Sequence, residues 1–250
     1  MALATLRSNF SGMAPSTSTQ NLIYDLQRAP DGSMLVVRAG SDVLLRATDM
    51  GDLIYQLEAD LVVQLQLLRA DLLFLHAAAV TLDGTAHLLV GRSGAGKSTT
   101  CWGLQHHGFG YLSDELAPIR MSDMMVHPYP HALCMKTEPP SSYPVPQAGW
   151  YTPRGVHIPI SPDDTDPRPV RSIFMVEYAA GRARPEILAI GRAEAAARLY
   201  PNALNTLAHT GDGLDAVTRM ASAVPAFRVE CADLGDTCTR ILAAARAFTP

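Results

Sequence analysis

The chain has 250 residues, a net charge of −4, and 48% hydrophobic against 18% charged residues. That length suits one large domain, or a domain with a small appendage, and the composition provides a core and excludes global disorder. No dense Lys/Arg stripe is present, which argues against a nucleic-acid partner, and no apolar run approaches the roughly 18 residues that a membrane span needs. Four scattered cysteines (Cys101, Cys134, Cys231 and Cys238) form no C-x-x-C pair. They read as reduced thiols, neither a disulfide frame nor a zinc site. Without an apolar h-region near the N-terminus, the expected location is the cytoplasm.

Residues 1 to about 19 are polar and expected to be ordered only by docking. From Asn21 to Ala47, three short apolar runs split by "APDG" and "AGSD" predict a small β-meander. Leu53, Ile54, Leu57, Leu61, Leu65 and Leu68 then recur at helical spacing, giving a helix with one broad apolar face. Residues 1–70 are thus expected to be a small β-rich appendage, a meander plus a helix, preceding a main domain over 71–250. There "LLFLHAAAV" and "AHLLV" flank Asp83-Gly84, a hairpin signature. The second strand runs into "GRSGAGKSTT", and a helix is expected from Lys97 to about His107, stopped by Gly108. "FGYLSDELAPI" reads as a further strand whose apolar residues end at Asp114-Glu115. Nine of the 18 prolines fall within residues 137–170. They forbid a long helix or central strand there and suggest an irregular lid or acceptor-binding loop. A buried strand in "RSIFMVEY", helices in "AEAAARLYPNAL" and "GDGLDAVTRMASAV", a strand in "AFRVEC" and a closing helix in "GDTCTRILAAARAF" complete an α/β core on a mixed sheet.

Residues 91–100 fit G-x-x-x-x-G-K-[ST], between a strand and a helix, the context that gives the motif its meaning. Its glycines let backbone N–H groups curl around phosphate oxygens, and the helix N-terminus favours the anion. Gly91, Ser93, Gly94, Ala95, Gly96, Lys97, Ser98 and Thr99 form the expected nucleotide-binding set. Lys97 would reach the β- and γ-phosphates and the Ser98 hydroxyl would ligate Mg²⁺. The pair Asp114-Glu115 lies one short helix and one strand further on, where a carboxylate can approach the metal and the γ-phosphate. His76 sits in an apolar run and, on the residues alone, fits a core histidine better than a catalyst.

The block "LHAAAV…LLVGRSGAGKSTTCWGLQHHGFGYLSDELAPI", about residues 72–120, resembles the catalytic core of the HPr kinase/phosphorylase family. It resembles more closely the HPr-kinase-like proteins of ribosomal-peptide biosynthesis, including lasso-peptide precursor kinases. "SAVPAFRVEC" is similar to a late strand of those relatives. The resemblance implies a P-loop kinase core of the HPr-kinase/PEP-carboxykinase-like type, using ATP and Mg²⁺ to phosphorylate a serine hydroxyl of a peptide or small protein. It implies that Lys97 and Ser98 hold nucleotide and metal, and that Asp114 is the general base. Glu115 would be the second carboxylate at the metal, with Asp114 also near it, and His76 would stand beside the base. The family's usual Asp-Asp is Asp114-Glu115 here, and its arginine-rich signature has only the loose counterpart Arg168 and Arg171. Two other functions stay open: a small-molecule alcohol kinase with the same site, and a nucleotide-binding switch without transfer. A homo-oligomer stays open as well. Lys136 and Arg154 read either as phosphate-contacting cations or as ordinary surface charges. Trp150 and Tyr151 read as anchors in preference to lid aromatics.

Overall fold

The structure, a computed structural model, describes residues 2–13, 22–40, 43–160, 166–178 and 181–247. Helix α1 (Ala2–Asn9) occupies part of the stretch expected to lack structure of its own, with Leu6 and Asn9 buried. The rest of that stretch, from residue 14, lies outside the described residues. Strands β1 (Tyr24–Arg28), β2 (Met34–Arg38) and β3 (Val43–Ala47) pair antiparallel in chain order, as the turn chemistry predicts. Asp49 then opens α2 (Met50–Leu68), its carboxylate accepting the Asp52 N–H at 2.9 Å and satisfying a donor that the helix leaves unpaired. Val36, Ala47, Leu53, Ile54 and Leu57 close a small core between this sheet and helix. Asp60 of α2 is gripped by Arg38 at 3.0 Å and by the Tyr24 hydroxyl at 2.6 Å.

The apolar run "LLFLHAAAV" is not one strand. It divides at His76 into β4 (Leu72–Leu75) and β5 (Ala77–Leu82), and β5 turns through Asp83-Gly84 into β6 (Thr85–Val90). Both turn residues have positive φ, +49° and +76°, the conformation that favours Asp-Gly in a two-residue hairpin. After α3 (Lys97–Gln105), the run "FGYLSDELAPI" also divides, into β7 (Gly110–Ser113) and β8 (Ala117–Arg120), with the acidic pair at the bend. Short β9 (Met125–Val126) and β10 (Leu133–Met135) follow.

The proline-rich stretch, of which residues 161–165 lie outside the described residues, is more regular over residues 137–160 than expected. Its proline-free windows form β11 (Trp150–Thr152) and β12 (Gly155–Ile158), which build a three-stranded sheet in the order β10-β12-β11. Pro153 lies in the turn between the two strands. Tyr143, also in this stretch, accepts the Trp102 Nε1–H of α3 on its carbonyl at 3.1 Å, and its hydroxyl meets His107 Nε2 at 3.0 Å. The stretch is therefore docked on α3. Pro169 falls in the two-residue pairing that opens β13 (Arg168–Tyr178), an end position that a residue without an N–H tolerates.

The remaining elements are β14 (Glu186–Ile190), α4 (Arg192–Leu199), α5 (Leu214–Ala223), β15 (Ala226–Cys231) and α6 (Leu234–Ala247). The large mixed sheet has the order β4-β8-β9-β13-β6-β5-β7, with β15 beside β13 and β14 beside β15. β13 runs parallel to β6 and β15, while the other pairings are antiparallel. One flank of β13 pairs with β6. The other pairs first with β9 and then with β15, so this long strand carries the sheet around a curl resembling half a barrel. One apolar layer lies toward α3 and α6 (Trp102, Leu104, Ile241), the other toward α4 and α5 (Leu199, Val217, Met220). The protein is thus a mixed α/β fold with a large curled sheet and a small N-terminal antiparallel sheet. No described helix is long and apolar enough to cross a membrane.

The outer backbone row of β4 is taken up by residues 202–209. Asn202 O accepts the His76 N–H at 2.7 Å, and Leu204 N–H donates to Phe74 O at 2.8 Å. The Asn205 amide spans two strand residues, accepting the Phe74 N–H at 2.9 Å and donating to Leu72 O at 2.8 Å. Truncating Asn205 leaves a buried N–H unpaired, which costs about 1–3 kcal/mol. Asn205→Ala is therefore expected to lower the denaturant midpoint of unfolding by a corresponding amount, and an unchanged midpoint would contradict this account of the strand edge.

Candidate functional site

The loop of residues 91–96 is fixed from below by the sheet. A Cβ on Gly91 would sit 2.5 Å from the Val176 carbonyl oxygen of β13, so only glycine permits this approach. The crest residues Arg92, Ser93 and Gly94 are exposed, whereas Ala95 and Lys97 are buried. Gly96 caps α3 without a side chain to bond the first-turn N–H groups, which leaves the positive end of the helix dipole, with Lys97, Ser98 and Thr99, facing the loop. Lys97 is only 7% exposed. Its Nζ donates to Gly91 O at 2.7 Å and to Arg92 O at 3.4 Å. Burial holds its pKa below the ordinary lysine range although Asp114 and Glu115 act in the opposite direction.

Two strand breaks bring the next residues together. β5 pairs with β7 up to Ala79 opposite Ser113, and β4 pairs with β8 from Leu75 opposite Ala117. His76 and the pair Asp114-Glu115 therefore occupy facing corners of the same bend. Apolar residues flank both corners, so the sequence alone does not show the division into separate strands there. Asp114 is fully buried and Glu115 exposed. Asp114 Oδ1 lies 3.4 Å from the Ser98 Oγ, a long hydrogen bond, and its Oδ2 accepts the Cys134 N–H at 3.0 Å. Burial pushes its carboxyl up to about 7 and Glu115 adds to the rise, while His131, the Cys134 N–H and the Ser98 hydroxyl oppose it. His76 is half-buried, and burial together with the charges of Lys97 and Lys136 pulls its imidazole down to about 4. It is thus neutral at physiological pH.

Of the two further cations, the structure brings one to the loop. Lys136, just past β10, donates from Nζ to the Ser93 Oγ at 3.0 Å and stands at the exposed crest. Arg154 instead pairs with Asp52 of α2 at 2.8 Å and lies 3.9 Å over the Tyr55 ring, which assigns it to the N-terminal contact. Trp150 stacks on His157 at 5.2 Å and packs against the N-terminal core, an anchor as expected, whereas Tyr151 is 62% exposed, its hydroxyl hydrogen-bonded to Glu138.

Sequence reasoning passed over Glu58 and His131. His131 Nδ1 lies 3.2 Å from Glu58 Oε1, with His131 buried. Burial lowers the imidazole pKa, but Glu58, Asp114 and Glu115 outweigh it and push it up to about 9. Glu58 is held below the ordinary carboxylate range: burial would raise it, and His131 and Asn9 prevail. One signal was available. Glu58 interrupts the apolar stripe of α2 between Ile54 and Leu61, where an acid must find a buried partner.

The oxygen donors fit a magnesium ion. Ser98 Oγ and the Asp114 carboxylate lie side by side, with the exposed Glu115 next in sequence, and Mg²⁺ typically takes one or two such groups alongside substrate phosphates and water. Among the described residues, no group of three or more His, Cys, Asp or Glu side chains is arranged to hold a metal on its own. No protein-family model matches the chain, and no curated protein matches it.

The raised pKa of Asp114 has a consequence for stability. A carboxyl whose folded pKa lies above its ordinary 3.8 favours the fold below that value and loses the contribution as pH rises through about 7. Asp114→Asn, which cannot ionise, is therefore expected to raise the thermal midpoint at pH 8, by about 2–4 °C for each 1 kcal/mol gained. The gain should shrink steadily toward pH 4. A midpoint lowered at pH 8 would contradict the assignment of a destabilised carboxylate.

Proposed function

We propose that the protein is an ATP- and Mg²⁺-dependent kinase of the HPr-kinase-like type, transferring the γ-phosphate to a serine hydroxyl of a peptide or small protein. The observation that carries this reading is the approach of Ser98 Oγ to Asp114 Oδ1, 3.4 Å. It sets the serine of the phosphate loop beside a buried acid at a strand end. The order of parts also supports it: a histidine-bearing strand, a hairpin, the loop sequence, a short helix, and an acid pair at the bend facing that histidine.

In this reading the amides of residues 93–98 and the dipole of α3 receive the β- and γ-phosphates. Lys97 exchanges its two loop carbonyls for phosphate oxygens, and Lys136 adds charge from the crest. Ser98, Glu115 and Asp114 would hold Mg²⁺, which would neutralise phosphate charge and orient its oxygens. The acceptor oxygen forms the new bond to γ-phosphorus while the bond to the β–γ bridging oxygen breaks and ADP leaves. The hydroxyl proton passes to the carboxylate of Asp114, which lies at the strand end beside Ser98. Neutral His76, held through its backbone by Asn202, borders the base without adding a positive charge.

Incubation with γ-labelled ATP, Mg²⁺ and serine-containing peptides tests the proposal. Label is expected on a peptide serine. Transfer only to small alcohols, or none at all, overturns the assignment. Lys97→Ala should reduce transfer by about 100-fold or more, the scale for losing a preorganised charge-stabilising group, and near-normal transfer would sink the kinase reading. Glu115→Gln should chiefly raise the Mg²⁺ concentration needed for half-maximal rate, which a Mg²⁺ titration measures.

A further inference from the structure

The Glu58–His131 pair has no part in the reaction just described, yet it is buried beneath the acid corner. A buried ion pair is poor evidence of stabilisation, because well-packed apolar residues often serve as well or better. Its connections are more informative. The run of residues 131–134 ends in the Cys134 N–H that donates to Asp114 Oδ2 at 3.0 Å. At its start, the Tyr111 hydroxyl of β7 donates to His131 O at 3.0 Å, and Tyr111 lies three residues before Asp114. In the middle, the Ala132 N–H donates to Asn9 O at 2.7 Å. The Asn9 side chain closes the circuit, its Nδ2 donating at 2.8 Å to the same Glu58 Oε1 that meets His131. Helices α1 and α2 thus hold, by side chain and by backbone, the strap that holds Asp114.

The charges around the strap agree with this. Burial raises the pKa values of Tyr111, Tyr129 and Cys134, which remain neutral. Burial also lowers His157, which is neutral too. The anions acting on His131 are Glu58 on one side and Asp114 with Glu115 on the other. His131 is thus a buried cation shared between an acid of the N-terminal helix and the acid pair of the site.

We propose that Glu58 is a positioning residue. Acting through His131 and residues 131–134, it fixes the Asp114 carboxylate relative to Ser98, which makes the N-terminal helices part of the reaction machinery. The inference rests on the reading of Asp114 as the base, and one arm of its test is independent of turnover. In that arm the histidine rings of the whole protein are followed by ¹H–¹⁵N NMR, with His131 assigned by its loss in His131→Asn. The His131 signals are expected to be those of an imidazolium at pH 7.5, to move in Asp114→Asn, and to become those of a neutral ring in Glu58→Gln. In the second arm, Glu58→Gln should lower kcat about 10- to 100-fold, the scale of a small misplacement of reacting groups, with KM for ATP within about twofold. The double variant Glu58→Gln/His131→Asn, which removes both charges of the Glu58–His131 pair together, should recover thermal stability but not kcat. Recovery of both would mark a structural role only and overturn the inference, as would His131 signals unmoved by Asp114→Asn or full turnover in Glu58→Gln. If the wild-type protein transfers no phosphate, the kinase reading falls and the NMR arm alone decides whether the pair is coupled to Asp114.

Discussion

A carboxyl group without solvent contact, at the bend between β7 and β8, imposes conditions on everything around it. Ionised, Asp114 needs donors and positive charge close by, because water cannot supply them. The Ser98 hydroxyl from α3, and the Cys134 N–H and His131 from the two ends of the run 131–134, meet that need. Each of them is held in turn by something else: Ser98 by the first turn of α3, Cys134 by the pairing of β10 with β12, and His131 by Glu58. The position of one acid thus ties the glycine-rich loop and α3, the small three-stranded sheet and the N-terminal helices to one another.

The sheet makes this convergence geometrically feasible. β13 is long enough to pair with β9 at its start and β15 at its end while keeping β6 on its other flank. It therefore joins a part of the sheet containing β4 and β8 to one containing β5, β6 and β7. β4 continues directly into β5, and β7 leads through a short bend into β8, so the curl folds those two connections toward each other, and the connections carry His76 and Asp114. The same strand supports the loop, since the Val176 carbonyl lies against Gly91. Packed strands resist gradual deformation, so the sheet fixes loop and acid relative to each other.

The glycine-rich loop of residues 91–96 was legible in the sequence as a strand-to-helix connection because its residues are contiguous and its flanking strand and helix have clear patterns. The meander, α2 and the Asp83-Gly84 hairpin were legible for the same reason. The divisions at His76 and Asp114 were not, since alternation and apolar runs report burial and do not report which neighbour a strand pairs with. The prolines misled in a specific way. They mark the junctions of residues 137–160, and the short pairings of β11 and β12 fit between them. Helix α1 was missed because eight residues with a serine and an asparagine carry little periodic signal, and its order depends on contacts made far along the chain. Glu58 and His131 are 73 residues apart, and nothing local in "YQLEADL" or "PYPHALC" shows that they meet. Only the acid within an apolar stripe pointed to a partner.

The clasp formed by Asn205 and its neighbours bears on how the molecule behaves in a crowded solution. β4 ends the path of the large sheet, and an uncovered terminal strand offers a row of donors and acceptors that can template the addition of another chain. The groups of Leu72, Phe74 and His76 that would form that row are already engaged by residues 202–209. Aggregation through this edge therefore requires a short loop to peel away, not the whole sheet to unfold. The loop's outer side carries Leu204 and Leu207, both exposed, so detachment would present adhesive backbone and apolar surface together. Exposure of this edge is governed by the local opening free energy of one loop, a quantity that can change while global stability stays constant.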